Sequence, residues 1–126
     1  MNYIKKLREV KPLVHNITNY VTVNDVANAI LAIGGSPIMS DEITEVAQMT
    51  SISNALNINI GTLNQVKIAS MFEAGKASNA CQHITVLDPV GAGATDLRTN
   101  TCKDLLAQIH FDAIKGNVSE IKTLMA

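Results

Sequence analysis

Tryptophan is absent from this 126-residue sequence, and aromatic residues of all kinds make up 3% of it. A platform for stacking bases or sugars has almost nothing to be built from, so the core must be aliphatic. No charge of one sign dominates: 10 Lys and Arg stand against 11 Asp and Glu, without a basic cluster. No field exists to hold a polyanion, and nucleic acid is excluded as an expected partner. Also missing is any apolar run near the roughly 20 residues of a membrane span. The charged start MNYIKKLREV has no hydrophobic core of a signal peptide behind it; a cytoplasmic protein without membrane contact is expected.

Cysteine is scarce. Cys81 and Cys102 lie too far apart for a CxxC redox or zinc element, and both are expected to be small buried hydrophobes. Asn16-Ile17-Thr18 and Asn117-Val118-Ser119 spell glycosylation acceptors, which carry no meaning without a secretory signal. There is no solenoid-period repeat, low-complexity tract or Pro/Gly/Ser-rich linker, so one domain is the ceiling for this length.

What is present is a rhythm: a short apolar run, polar or glycine punctuation, then a longer segment of helical spacing, repeated about five times. That alternation predicts a parallel sheet of βα units. The pattern predicts a helix over the first ten residues ending before Pro12, then a strand from Pro12 to Ile17. Thr22 is expected to cap a helix through Ile33 that Gly34 and Gly35 terminate, with Val26, Ile30 and Ile33 on one face. Ser36 to Met39 reads as a short buried run, Asp41 opens a helix to Ile52, and Leu56 to Ile60 is a strand. Thr62 is expected to cap a helix to about Ser78, followed by a strand at Ile84 to Leu87 that Asp88-Pro89 stops. A helix from about Leu97 to Ile109, a short strand at Asp112 to Ile114 and a helix started by Asn117 complete the pattern. That last helix reaches Ala126 without a capping residue, glycine or proline and is expected to be open-ended.

Each predicted strand ends in a small polar or glycine-rich cluster, and in an open parallel sheet all those ends fall on one edge, where ligands bind. Asp88 to Thr95 puts a carboxylate at a strand end and then glycines that let backbone N–H groups approach an anion, so a phosphate or a hydrated magnesium ion fits there. It is no Walker loop, since GKS and GKT are absent, and no dinucleotide fingerprint, since Asp96 stands where the third glycine belongs. A tight turn that needs glycine angles is the plainer alternative. Asn117 and Glu120 have the spacing of a capping box; equally, Glu120 would hold magnesium waters against a triphosphate while Lys115 neutralises a phosphate. Met39 fills core or lays its sulfur against a flat heteroaromatic ring. His15 has no second ligand at metal spacing, His83 and His110 read as surface or half-buried residues, and no Ser/His/Asp triad can be assigned by spacing.

Taken in order, VHNITNYVTVNDVANAILAIGGSPIMS, LNINIGTL, VLDPVGAGATDLR and KGNVSEI resemble the hydroxyethylthiazole kinases, members of the ribokinase-like kinases, over nearly the whole chain from Pro12. The resemblance implies an α/β, parallel-sheet βα repeat of ribokinase-like type, with residues 1–126 as the amino-terminal half of a single kinase domain, truncated after about five βα units. It further implies transfer of the γ-phosphoryl of ATP, with Mg2+, to the hydroxyethyl oxygen of a methylthiazole alcohol in thiamine biosynthesis and salvage. By resemblance Asn19, Val21 and Met39 line the thiazole pocket at a subunit boundary of a homotrimer. Lys115 and Asn117 contact ATP, Glu120 and, through water, Asp88 serve the metal, and Arg98 lies in the loop near the transferred phosphate. Lys115 stands where the family commonly has arginine, which keeps the charge and loses the planar two-point grip on phosphate. The family's second glycine-rich loop and the residue that activates the alcohol are not in this sequence, so no catalytic residue is expected within it. The alternatives are an inactive thiazole-binding or trimer-assembly fragment, and a related kinase for a pyrimidine alcohol.

Overall fold

The computed structural model describes residues 2–126. Eleven elements alternate: α1 (Tyr3–Val10), β1 (Leu13–Ile17), α2 (Val23–Ile33), β2 (Ser36–Met39), α3 (Val46–Ile52), β3 (Ala55–Asn59), α4 (Gln65–Ala80), β4 (Ile84–Asp88), α5 (Asp96–Gln108), β5 (Ala113–Ile114) and α6 (Val118–Met125). The five strands form one sheet in the order β2-β1-β3-β4-β5, and every pairing is parallel. Between β1 and β3 the order reverses direction. At such a reversal of strand order in an open parallel sheet, ligands bind beside the carboxyl edge.

Side chains alternate along a strand, and in β3 and β4 burial follows the alternation. Leu56 and Ile58 of β3 and Leu87 of β4 are fully buried, joining Ile17, Met71, Ala74, Cys102 and Leu105 in one core. This is the face that α3, α4 and α5 cover, packed side by side. On the other face Asn57 and Val86 are half-buried and Ile84 is 54% exposed. The α2 helix packs on β2 and α1, and it has no buried residue of its own, so its shared face of Val26, Ile30 and Ile33 is at best half covered.

Local chemistry explains several departures from the sequence pattern. Thr22 stands at the N-cap position of α2 but makes no side-chain cap; its hydroxyl donates to Asn19 Oδ1 at 3.0 Å. Residues 42–45 form a turn rather than a helix start at Asp41, because the Glu42 carboxylate accepts from Thr44 N and Oγ1 and competes with helical bonding. Asn64, not Thr62, caps α4 by accepting from Lys67 N at 2.8 Å; Thr62 Oγ1 accepts from Tyr20 N at 3.3 Å, across to the β1 loop. β2 is half-buried, with Met39 37% exposed, because it is an edge strand. Cys81 is exposed at the end of α4, whereas Cys102 is buried as expected. Burial chiefly, then the Glu120 charge, pushes the Cys102 thiol up to about 11, which makes it inert as a nucleophile at neutral pH.

Candidate functional site

Two regions of the carboxyl edge carry the predicted residues. At the sheet's reversal, β1 leads into Thr18, Asn19 and Tyr20, and β3 into Ile60, Gly61 and Thr62. Asn19 is 7% exposed, and its Oδ1 accepts from Val21 N, Thr22 N and Thr22 Oγ1, which folds the chain into the start of α2. Its Nδ2 donates to Asn59 Oδ1 at 3.0 Å, and that oxygen also accepts from Gly61 N at 2.8 Å. A Cβ on Gly61 would sit 2.9 Å from Asn19 Cβ, so glycine is required for the two loops to meet.

Asn19 therefore forms the wall between two cavities. One, of about 200 Å³, is lined by Asn16, Tyr20, Met39, Asp41 and Lys67 among others. The second, of about 520 Å³, is lined by Asn19, Val21, Gly61, Asp88, Val90 and Lys115 among others. Met39 and Val21 thus lie in different cavities of the same chain, with Asn19 shared. Val21 is 87% exposed.

Three interactions set the smaller cavity. Lys67, 2% exposed, donates through Nζ to Thr18 O at 2.8 Å, lies 4.3 Å from the Tyr20 ring centroid and 3.9 Å from Asp41 Oδ2. Burial lowers its basicity and the Asp41 charge opposes that. His15, fully buried, ties the Met39–Ser40 corner down: its Nε2 lies 2.8 Å from Ser40 O and its Nδ1 2.8 Å from Thr50 Oγ1. A carbonyl only accepts, so Nε2 carries hydrogen and neutral His15 receives the Thr50 hydroxyl proton at Nδ1. Burial, the largest influence, holds His15 below the usual imidazole range against the opposing Ser40 carbonyl and Glu45 charge.

Around β4 and β5 the geometry differs. Lys115 Nζ is 3.5 Å from Asp88 Oδ2, with the lysine side chain 81% exposed and the aspartate 19% exposed. Asn117 and Glu120 form the full capping box: Asn117 Oδ1 accepts from Glu120 N at 2.8 Å and Glu120 Oε1 from Asn117 N at 2.9 Å. The second carboxylate oxygen of Glu120 accepts from Gly91 N at 2.7 Å, which latches the β4–α5 loop to α6. Gly91 adopts φ +77°, a conformation other residues rarely take.

The loop is not an open anion cradle. Gly93 N donates to Thr99 Oγ1, Ala92 N to Pro89 O and Ala94 N to Gly91 O, so four successive N–H groups from Gly91 to Ala94 already have protein acceptors. The anion that the glycine loop receives is Glu120 itself. Arg98 is likewise engaged, donating to Val90 O at 2.8 Å and Gly61 O at 2.9 Å, and it joins the two regions by their backbones. Lys115 is left as the accessible cation of the larger cavity. No group of three or more His, Cys, Asp or Glu side chains able to hold a metal occurs among the described residues. Asp88 lines the larger cavity beside Lys115, whereas both Glu120 carboxylate oxygens are bonded to backbone N–H groups.

Fold and site define a parallel α/β protein whose polar groups converge on one sheet edge at the point where strand order reverses. The chain belongs to the hydroxyethylthiazole kinase family, whose model matches residues 4–126. It is 56% identical over 121 residues to hydroxyethylthiazole kinase of Clostridium acetobutylicum, covering 96% of this chain and 44% of that protein. It is 55% identical over 123 residues to that of Clostridium tetani, covering 98% and 45%. The structure of the hydroxyethylthiazole kinase protein of Pyrococcus horikoshii superposes with a TM-score of 0.94 at 44% identity, covering 99% of this chain and 50% of that one. The chain thus spans about half the length of the relatives it matches. No helix among the described residues is long and apolar enough to cross a membrane.

Proposed function

We propose that residues 1–126 are the amino-terminal half of a cytoplasmic hydroxyethylthiazole kinase domain that transfers the γ-phosphoryl of ATP to the hydroxyethyl oxygen of a methylthiazole alcohol. The observation that carries this reading is the pairing, across one asparagine, of two cavities that each hold an acid and a lysine in a largely apolar lining: beside Met39 the lysine is Lys67, buried and bonded to protein, whereas beside Asp88 it is Lys115, exposed and open to an anion. A neutral heteroaromatic ring suits the first and phosphates the second.

Lys115 offers charge to a phosphate, Asn117 presents the start of α6, and Glu120 with Asp88 supports magnesium waters. When bound, the ion neutralises charge that develops on the transferred group. Val21 and Met39, in separate cavities and both exposed, fit a thiazole pocket completed by a neighbouring copy in a homotrimer. Glu120 then does two things: it holds the loop at Gly91 and it stands beside the phosphates.

The test is ADP release by the protein expressed from its full coding frame, with thiazole alcohol, a pyrimidine alcohol and a sugar as acceptors. Thiazole-dependent release with kcat/KM at least tenfold above the other two supports the reading, and a preference for either rival overturns it. Met39→Ala sharpens the result. A sulfur–ring contact contributes roughly 0.3–1.5 kcal/mol, so KM for the thiazole alcohol should rise by about tenfold at most while KM for ATP holds. Equal rises for both substrates remove Met39 from the pocket.

A further inference from the structure

A buried lysine stands between the two loops that carry the proposed alcohol-binding residues. We propose that Lys67 is a positioning residue that clamps the Thr18–Tyr20 corner against the Met39–Asp41 corner and so fixes the relative placement of Met39 and Val21. The inference rests on the reading that these two residues hold the acceptor.

Lys67 lies one turn into α4, at a position whose helical neighbours Ser70, Met71 and Ala74 are buried with it. A lysine is almost never fully buried without partners, because removing its charge from water is costly. Its partners are all loop atoms from elsewhere in the sequence: the Thr18 carbonyl at 2.8 Å, the Tyr20 ring at 4.3 Å and the Asp41 carboxylate at 3.9 Å. Thr18 and Tyr20 precede Val21; Asp41 follows Met39 by two residues. One ammonium thus joins three chain segments: 18–20, 41 and α4. Ser70 adds a second tether from α4, donating to Asp41 O at 2.7 Å.

Each corner has ties of its own, Asn19 Oδ1 to Val21 N and Thr22 N and His15 Nε2 to Ser40 O, but none of these reaches from Thr18–Tyr20 to Asp41. Tyr20 is 65% exposed and Asp41 is 55% exposed at its side chain, so neither is held by packing alone. Without the ammonium, Thr18 O would be left without its side-chain donor and the two corners would lose their shared contact. Loops that drift by about an ångström shift bound atoms out of line, and such displacements reduce rates by up to about a hundredfold.

Lys67→Met keeps the stem and removes the charge. Its effect is read by steady-state kinetics, amide hydrogen exchange and thermal unfolding of the protein from its full coding frame. KM for the thiazole alcohol should rise about tenfold with KM for ATP within about twofold of wild type, since only the acceptor corners move. Exchange should quicken in peptides covering 17–24 and 39–45 and stay unchanged in those covering β4 and α5. Lys67→Arg, which restores the charge, should recover part of both effects. Equal changes in the two KM values, or exchange that quickens uniformly, overturns the clamp in favour of a general packing role.

Should Lys67→Met not fold, Asp41→Asn removes one arm of the clamp at an exposed carboxylate. The same peptides should then exchange faster with the melting temperature unchanged, and no local change counts against the proposal. If the wild-type protein phosphorylates no thiazole alcohol, the functional reading fails, and hydrogen exchange alone still decides whether Lys67 holds the corners.

Discussion

The loops at β1 and β3 and the loops at β4 and β5 share one sheet edge but handle polarity in opposite ways. In the first, polar side chains are buried and bonded to protein: Asn19 at 7%, Asn59 at 7%, Lys67 at 2% and His15 at 0% exposure. In the second, Lys115 projects into solvent and meets Asp88 only at 3.5 Å. A buried network whose groups, the Thr18 hydroxyl excepted, are bonded to protein chiefly shapes a cavity; a loosely paired exposed cation supplies charge to whatever enters. On the proposed function, the first region takes the neutral acceptor, selected by shape, and the second the anionic donor, selected by charge. Glu120, like Arg98, is an exception within the second region, because both its oxygens are engaged by backbone N–H groups.

Removing that exception should produce the largest effect. Glu120→Ala unlatches Gly91 N and leaves Asn117 N without its acceptor, and it also deletes the carboxylate that the proposed mechanism sets beside the phosphates. Loss of one preorganised electrostatic group costs roughly a hundredfold to a thousandfold in turnover. We expect kcat to fall by about a hundredfold with KM for the alcohol little changed, measured by ADP release at saturating substrates. A comparable rise in KM for the alcohol would erase the division between the two regions. The Asn117 cap stays, but loss of the two backbone bonds to the Glu120 carboxylate should also lower stability by roughly 1–3 kcal/mol, read from denaturant unfolding.

The buried region should respond to acid. His15 has a folded pKa below its ordinary value of 6.5, chiefly through burial. As pH falls below that ordinary value, the unfolded chain binds a proton that the folded chain resists, so stability declines until the folded pKa is passed. Within that window the loss from this one group approaches, at most, about 1.4 kcal/mol per pH unit. Melting temperature followed from pH 7 downward should fall, and His15→Gln should flatten the slope. An unchanged slope in the variant would show that other groups carry the acid sensitivity and that His15 is less enclosed than its contacts imply.

Much of this architecture was legible in the sequence, because strands and their polar carboxyl ends have a pattern of period two bounded by glycine, proline and asparagine. Ile84 to Asp88 and the box at Asn117 and Glu120 follow from local chemistry alone. What local chemistry could not supply was partnership across the fold. Thr62 and Asn64 are both good caps, and only the contact from Tyr20 to Thr62 decides between them. No motif in the sequence marks Lys67, yet three distant groups enclose it. The glycine loop after Asp88 reads as an anion cradle, and nothing nearby in sequence reveals that Glu120, 29 positions after Gly91, fills it. Cys81 is exposed because α4 ends there, a boundary set by the turn at Gln82 with φ 57°.

The smallest expected effect tests how loose the charged region is. Lys115 already brings a full positive charge to the larger cavity, and with its side chain 81% exposed that charge is well hydrated. Arginine at this position would keep the charge and add a planar fork able to hold two phosphate oxygens, so only hydrogen-bond geometry is gained. Screening by water limits the gain to about 1 kcal/mol or less, roughly a fivefold tightening. Lys115→Arg should therefore lower KM for ATP slightly, leave KM for the alcohol unchanged, and leave melting temperature within experimental scatter, because the lysine end of the pair with Asp88 is exposed to water and the pair adds little to folding. Titration at rising salt should weaken ATP binding to both forms, and less steeply for arginine, whose contact depends more on direction and less on charge alone. A large loss of ATP affinity in the arginine variant would mean that the cavity is shaped around the compact ammonium. The charged region would then be as closely fitted as the buried one.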